Sequence, residues 1–184
     1  EYLEFGRNPA SYRVLPPGAS FVTPYRPGLD LAAAAWQKPS MSLRIEHRIG
    51  IAASPEVVWG VIADLERWGE WNGLHPEARG RISIGGRLEV AEVLEGEPGR
   101  LHQVSIPDWT PEIQLVWINK RGFLSRSTRY FELEDLSGDA CLLANGEIFD
   151  GLRGEGWARP RRGLFHAAFE AINEAIKARA EALA

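Results

Sequence analysis

The chain has 184 residues, of which 45% are hydrophobic and 25% are charged, and this predicts one globular domain with a sizeable core. Its net charge of -4 disfavours nucleic acid as a partner, because nucleic acid is bound through clustered Lys and Arg. The single cysteine, Cys141, excludes an intrachain disulfide and a Cys-based zinc site. We therefore expect a cytoplasmic protein that needs no metal or other cofactor.

Residues 1–40 differ in composition from the rest of the chain. They contain about half of the twelve prolines, and proline fixes φ and removes a backbone donor. We therefore expect an extended, Pro-rich arm there. Two interpretations stay open. The arm is either sequence upstream of a start at Met41, or a native arm whose aromatic residues pack on the domain or on a second chain, which would allow a homodimer.

A patterned region begins at Leu43. From Leu43 to Ile51 apolar and polar side chains alternate, which predicts a half-buried strand. Ser54 is a predicted helix N-cap, Pro55 suits the first helical position, and Glu56 suits the first turn. The chain thus enters a helix directly after its first strand.

Further strands are predicted after this helix, separated by glycine-containing turns. They cover residues 79–84, 87–95, 100–106, 112–120, 123–134 and 140–150. A long amphipathic helix is predicted at residues 160–183, with an apolar stripe made of Phe165, Phe169, Ile172, Ile176 and Leu183. Short turns between successive strands imply an antiparallel sheet, so the fold class is α+β.

Over residues 43–182 the chain resembles the START, birch-pollen-allergen and polyketide-cyclase superfamily. The matching stretches are LRIEHRIGIAASPEVVWGVIADLERWGEWN, PDWTPEIQLVWINKRG, RYFELEDLSGDACLLANGEIFDG and FHAAFEAINEAIKARAEAL. The resemblance implies a helix-grip fold, in which a curved antiparallel sheet wraps around a long C-terminal helix and encloses an apolar cavity. Residues 41–184 would form this START-like ligand-binding domain. Family members bind lipids, sterols, polyketides or plant hormones, and they include cyclases, carriers and co-chaperones.

A turn centred on Gly138 would set the register of the last hairpin. In that register Arg129 lies opposite Glu147, Phe131 opposite Asn145, and Leu133 opposite Leu143, all on the face that looks toward the terminal helix. Isolated charges are costly in an apolar interior, so we expect Arg129 and Glu147 to pair. The pair is interpreted either as a structural cross-strand salt bridge or as a polar anchor or acid/base pair for a ligand.

The four histidines receive different predictions. His47 lies on the inward face of the first strand and is a weak catalytic candidate beside Glu147 and Arg129. His102 shares a strand face with Val104 and is ambiguous. His75 precedes Pro76 and is expected in solvent, and His166 is expected at the margin of the terminal helix.

Aromatic side chains on several elements should converge inside the grip. Most are expected to be core, and some should line a pocket. With the polar residues of the hairpin they form the predicted ligand-binding set: Trp59, Trp71, Trp117, Arg129, Phe131, Asn145, Glu147, Phe149, Phe165 and Phe169. Trp109, in a proline-flanked segment predicted as a loop, is a candidate to close the mouth of the pocket.

Four arginines lie at or just before the start of the terminal helix: Arg153, Arg159, Arg161 and Arg162. They are interpreted either as a solvated loop or as a contact for a phosphate or lipid headgroup, which would bring the protein transiently to a membrane surface.

Three functional hypotheses follow. The first is binding or transport of a small hydrophobic molecule, such as a lipid, a quinone or a polyketide-like compound, in an internal cavity. The second is an enzyme of the cyclase or dehydratase type, with Glu147, Arg129 or His47 as acid, base or oxyanion support. The third is a co-chaperone-like module that binds another protein and has a filled core.

Overall fold

The computed structural model of the protein describes residues 42–151 and 153–184. Its strands are β1 (Ser42–Ile51), β2 (Ala78–Gly80), β3 (Arg87–Glu92), β4 (Arg100–Thr110), β5 (Gln114–Gly122), β6 (Ser125–Asp135) and β7 (Cys141–Asp150). Its α-helices are α1 (Pro55–Ala63), α2 (Gly154–Ala158) and α3 (Arg162–Glu181), and two 3₁₀ segments are Leu65–Glu70 and Arg159–Arg161. The predicted arm at residues 1–40 lies outside the described residues.

The seven strands form one antiparallel sheet in the order β1-β7-β6-β5-β4-β3-β2. Helix α3 packs along β1 and β7, and α1 packs against α3. This is the helix-grip architecture that the sequence predicts. No helix in the described part of the chain is long and apolar enough to span a membrane.

The entry into α1 follows the predicted capping chemistry. Ser54 is the N-cap and its side chain accepts a hydrogen bond from the backbone N–H of Val57, while Pro55 opens the helix. The hairpin register is also confirmed, because Arg129 lies opposite Glu147, Phe131 opposite Asn145 and Leu133 opposite Leu143. Gly138, at the centre of the turn, has a φ of 85°, a conformation that glycine adopts without strain.

Three boundary predictions are wrong. The strand expected at residues 79–84 is limited to β2, because Gly80 has a φ of 128° and ends it. Strand β4 continues through Pro107 after a bulge, and Trp109, expected in a loop, pairs with Leu115 instead. Leu183 lies beyond the end of α3 and is 71% exposed, so it is not part of the apolar stripe.

The core lies between the concave face of the sheet and α3. Four predicted stripe residues are buried there: Phe165, Phe169, Ile172 and Ile176. Between the sheet and the 3₁₀ segment Leu65–Glu70, the fully buried indole of Trp68 contacts the rings of Trp117 and Phe131, with centroids 6.0 and 6.4 Å apart. Trp68 also donates from Nε1 to the carbonyl of Ile62 at 2.9 Å, which fixes this segment against α1.

Replacing Phe169 by Ala should lower the free energy of unfolding by about 3–5 kcal/mol, because a fully buried ring is removed from a closely packed site. Denaturation by urea, followed by far-UV circular dichroism, measures this loss. Leu183→Ala is the matched control, and its change should stay within about 0.5 kcal/mol because the side chain is exposed. A loss below about 1 kcal/mol for Phe169→Ala would contradict the assignment of this ring to the core.

Candidate functional site

A buried cluster of charged and polar side chains lies inside the grip, at the end of the sheet where β3, β5 and β7 finish. It surrounds a cavity of about 10 Å³. The residues that line this cavity, named here the interior cluster, are His75, Val90, Glu92, His102, Val104, Trp117, Asn119, Arg121, Arg129 and Glu147. A cavity of this volume has room for about one water molecule.

Arg121 is the centre of charge in the interior cluster. Its Nη1 donates to Glu92 Oε1 at 2.8 Å and its Nη2 donates to Glu147 Oε1 at 2.9 Å. Burial opposes the charged form of Arg121, but the carboxylates of Glu147 and Glu92 raise its pKa above the ordinary value. Burial likewise opposes the charged form of Glu92, yet hydrogen bonds from Arg121 lower the pKa of that carboxyl. Arg121 and Glu92 therefore stay ionised together.

Arg129 is the second guanidinium and is only 1% exposed. Its Nη1 donates to the carbonyl of Gly146 at 2.8 Å, and its charged group lies 4.2 Å from the ring centroid of Phe169. Burial lowers the pKa of Arg129 to about 10, so the group remains charged at neutral pH. Within the described residues, its Nε and Nη2 have no hydrogen-bond partner.

The expected ion pair between Arg129 and Glu147 is not formed. The two residues face each other across β6 and β7 as predicted, but the carboxylate of Glu147 turns to Arg121 and leaves its Oε2 without a partner among the described residues. Arg121 extends from the end of β5 and lies between the carboxylates of Glu92 and Glu147. Glu147 therefore presents one unused polar atom inside the interior cluster, and Arg129 presents two.

Two histidines lie at the edge of the cavity. His75 is 4% exposed, so the prediction that it lies in solvent is wrong. Its Nδ1 lies 3.0 Å from the carbonyl of Ala91 and therefore donates to it, which leaves Nε2 as an acceptor without a partner in the described part of the chain. Burial lowers the pKa of His75 to about 3, so the ring is neutral at physiological pH. His102 Nε2 lies 3.8 Å from Glu92 Oε1, and burial lowers the pKa of His102 as well.

His47 does face α3, as predicted, but it does not line the cavity. Its Nδ1 and its backbone carbonyl both lie 3.0 Å from Nδ2 of Asn173, which donates to them. Its ring meets that of the exposed His166 edge-on. Asn145, opposite His47 on β7, donates to the carbonyl of Phe169 at 3.3 Å. The structure therefore places His47 and Asn145 at the seam with α3, apart from Glu147.

The predicted aromatic set divides into three groups. Trp117 lines the cavity, and the rings of Phe131 and Phe169 lie against the guanidinium of Arg129. Phe149 and Phe165 pack on each other in the core, with centroids 4.9 Å apart.

The remaining two predicted aromatics do not line this cavity. Trp71 lines an open surface cavity of about 540 Å³ between α1 and the end of α3. Trp59 and Trp109 line another, of about 420 Å³, between α1 and β2. Neither Trp59 nor Trp71 lines the cavity of the interior cluster, and Trp109 does not border it.

Sequence reasoning missed Glu92, Asn119, Arg121 and Trp68. Glu92 follows Leu88 and Val90 on the inward face of β3, and Arg121 follows Trp117 and Asn119 on the inward face of β5. The alternation of inward and outward side chains along β3 and β5 could therefore have identified Glu92 and Arg121 as interior residues. For Arg121 this pattern was obscured, because the pair Arg121-Gly122 is also typical of a turn.

No family model and no curated protein matches the chain. Solved structures do. A START superfamily protein from Mycobacterium smegmatis is 16% identical, with 77% of this chain and 99% of that chain covered and a TM-score of 0.61. Norcoclaurine synthase from Thalictrum flavum, as a point mutant in complex with a transition-state analogue, is 15% identical, covers 78% and 97%, and has a TM-score of 0.60.

The Zhui aromatase/cyclase from Streptomyces sp. R1128 is 14% identical, with 77% of this chain and 93% of that chain covered and a TM-score of 0.57. At these identities the likeness establishes the fold. The chain therefore has the helix-grip fold of START-like and aromatase/cyclase structures, as the resemblance in its sequence implies.

His75 should make the stability of the protein depend on pH. Its pKa is about 3 in the folded state and about 6.5 when unfolded, so the unfolded chain binds the proton first as the pH falls. Stability is therefore full above pH 6.5 and declines below it, by about 2 kcal/mol between pH 7.5 and pH 5. Urea denaturation at these two pH values measures the decline.

The variant His75→Gln should remove most of this decline, and His166→Gln, at an exposed position, should keep it. An unchanged pH dependence in His75→Gln would show that the ring is not buried in its neutral form.

Proposed function

We propose that the protein binds a small, largely apolar molecule inside the grip and that the interior cluster recognises a polar oxygen on that molecule. The observation that carries the proposal is the set of unused polar atoms around one cavity: Nε and Nη2 of Arg129, Oε2 of Glu147 and Nε2 of His75. Buried charges that only stabilise a fold are weakly favourable at best, and apolar residues of similar volume often replace them without loss. A ligand that accepts from Arg129 accounts for their presence.

The cavity is much smaller than the 300–1,000 Å³ or so of ordinary ligand pockets. Binding therefore requires the wall to move. The wall that is not part of the sheet is the segment from Trp68 to His75, which covers Trp117 and holds His75 against β3. Displacing the Trp68 side chain would free the volume of an indole next to Arg129, since Trp68, Trp117 and Phe131 form one cluster of rings.

The small cavity also bears on the class of ligand. A long acyl chain needs a continuous apolar tunnel, whereas the aromatic rings and paired charges here suit a compact molecule with a carbonyl, carboxylate or phenolic oxygen. Among the ligand types considered, a polyketide-like or quinone-like molecule fits this description better than a lipid.

Mass spectrometry of an organic extract from the purified protein tests this. We expect a stoichiometric small molecule in the native protein and its loss in Arg129→Met, which keeps the volume of the side chain and removes the donors. Affinity for the extracted molecule should fall by about 10- to 100-fold, because hydrogen bonds to a charged group contribute about 1.5–3 kcal/mol.

Arg126→Met is the matched control, because Arg126 lies on the same strand and pairs with Asp150 at the surface. It should retain the molecule. Equal retention by Arg129→Met, with the fold intact, would contradict the proposal. A native protein that yields no small molecule but retains a protein partner would instead support the co-chaperone-like hypothesis.

A second candidate function, acid/base catalysis of the cyclase or dehydratase type, is favoured by the free Oε2 of Glu147 beside Arg129. In such a reaction Glu147 would take the proton from the carbon next to a carbonyl, and the N–H groups of Arg129 would stabilise the enolate oxygen. The protonated Glu147 would then return its proton to a departing hydroxyl, which leaves as water while the enolate closes to the conjugated double bond.

Glu147→Gln separates the two functions. Its amide oxygen still accepts from Arg121, but it can no longer take a proton. A binding protein should keep its ligand within about threefold, whereas an enzyme should lose at least about 100-fold in turnover while still binding substrate. Glu134→Gln, at an exposed position of β6, controls for the charge change and should alter neither quantity.

A further inference from the structure

The hairpin between β5 and β6 ends in two large apolar residues that project into solvent. Gly122 pairs with Ser125, so Phe123 and Leu124 alone form the loop. Phe123 is 82% exposed and Leu124 is 45% exposed. Short hairpin loops favour Gly, Asn and Asp, because these residues tolerate the backbone conformations that tight turns require.

Leu124 moreover adopts a φ of 62°, in the left-handed region. A leucine in this region is strained, and the exposed phenylalanine beside it does not stabilise the fold through burial. Folding alone therefore disfavours this pair of residues at this position. Backbone strain of this kind, maintained at an exposed tip, points to a role outside the fold.

The surroundings of the tip are positively charged. The backbone N–H of Arg153 donates to the carbonyl of Leu124 at 3.2 Å, which places that arginine directly beside the tip. Lys120 lies near the end of β5, and Arg162 opens α3 at the same end of the sheet. None of these three forms an ion pair with the described residues.

The acids at this end are mostly occupied. Three of them are paired with arginines: Asp150 with Arg126, Glu155 with Arg159, and Glu97 with Arg161. Glu95 is the remaining exposed acid of the neighbouring turn. The unpaired charge around Phe123 is therefore positive, although the chain as a whole carries -4.

We propose that this tip is a docking surface for an anionic lipid membrane, with Phe123 and Leu124 inserted between headgroups and Lys120, Arg153 and Arg162 above the phosphates. A protruding apolar tip in a basic surround fits the interface of an anionic bilayer, where apolar burial and electrostatic attraction act together. The tip lies directly after Arg121, so docking would turn the end of the sheet that carries the interior cluster toward the membrane.

Co-sedimentation with vesicles tests the proposal. Phosphatidylcholine vesicles with added phosphatidylserine should bind the protein, and binding should weaken without phosphatidylserine or at high salt. The double variant Phe123→Ser/Leu124→Gly should reduce binding at least about tenfold, because two apolar side chains no longer enter the interface. Its unfolding temperature should be equal or higher, since Gly relieves the strain at position 124.

The matched control is Ile84→Ser/Ile113→Ser. These isoleucines are 69% and 55% exposed. Ile113 precedes β5, so the nine residues of that strand, about 30 Å, separate it from the tip, and Ile84 lies in the turn before β3. This control should bind vesicles as the native protein does. A native protein that ignores anionic vesicles, or a control that loses binding as strongly as the tip variant, would overturn the proposal.

Two further readouts separate this inference from other functions. Arg129→Met should keep vesicle binding, because the docking surface does not depend on the proposed ligand site. If the tip variant instead changes only the oligomeric state in size-exclusion chromatography, the tip is an interface between protein chains and the assignment to lipid is wrong.

Discussion

Two carboxylates inside the sheet share one guanidinium, and the arrangement of the interior depends on that ion triplet. Glu92 and Glu147 come from strands that are not neighbours, and Arg121 from β5 spans the distance between them. Burying either carboxylate without this partner would cost several kcal/mol. The triplet therefore couples β3, β5 and β7 at one end of the sheet, and it leaves Arg129 free of the partner that stands opposite it.

Because Glu147 pairs with Arg121, Nε and Nη2 of Arg129 have no hydrogen-bond partner among the described residues. Aromatic rings surround its charge, and one backbone carbonyl, that of Gly146, accepts from Nη1. Gly146 has this position because a side chain there would collide with the hydroxyl of Tyr130, which crosses the outer face of the sheet. Gly146 thus leaves room for Tyr130 on the outer face of the sheet and accepts a hydrogen bond from Arg129 on the inner face.

The sequence predicted the elements of the fold and the register of the last hairpin well, because these follow from periodicity and turn chemistry. The period-two alternation of β1, the cap at Ser54 and the glycine turn at Gly138 are local signals, and each is confirmed. The partner of Glu147 could not be predicted in the same way. Register places Arg129 opposite it, but the choice between Arg129 and Arg121 depends on how long side chains from different strands meet in three dimensions.

The burial of His75 could not be predicted from the sequence either. A histidine before a proline in a glycine-containing segment resembles a surface loop, yet the segment folds beneath the sheet and its ring binds the carbonyl of Ala91. Nothing local in the sequence indicates that β3 offers a carbonyl at that point. The position of each aromatic residue on its strand or helix likewise predicted that it points inward. Which of these rings line the cavity depends instead on the space that the Trp68 side chain occupies.

Asn173 has a consequence for the position of α3. A helix that touches a sheet only through apolar side chains can shift along its axis at little cost, since one ring replaces another. Asn173 is fully buried and donates to both the carbonyl and the ring of His47, so a shift by one turn, about 5.4 Å, would leave these polar atoms unpaired. Asn173 therefore fixes the position of α3 along its axis. Phe169 lies one turn earlier on α3, so the hydrogen bonds of Asn173 also keep its ring against Arg129 and keep the aromatic surface that α3 presents to the cavity in place.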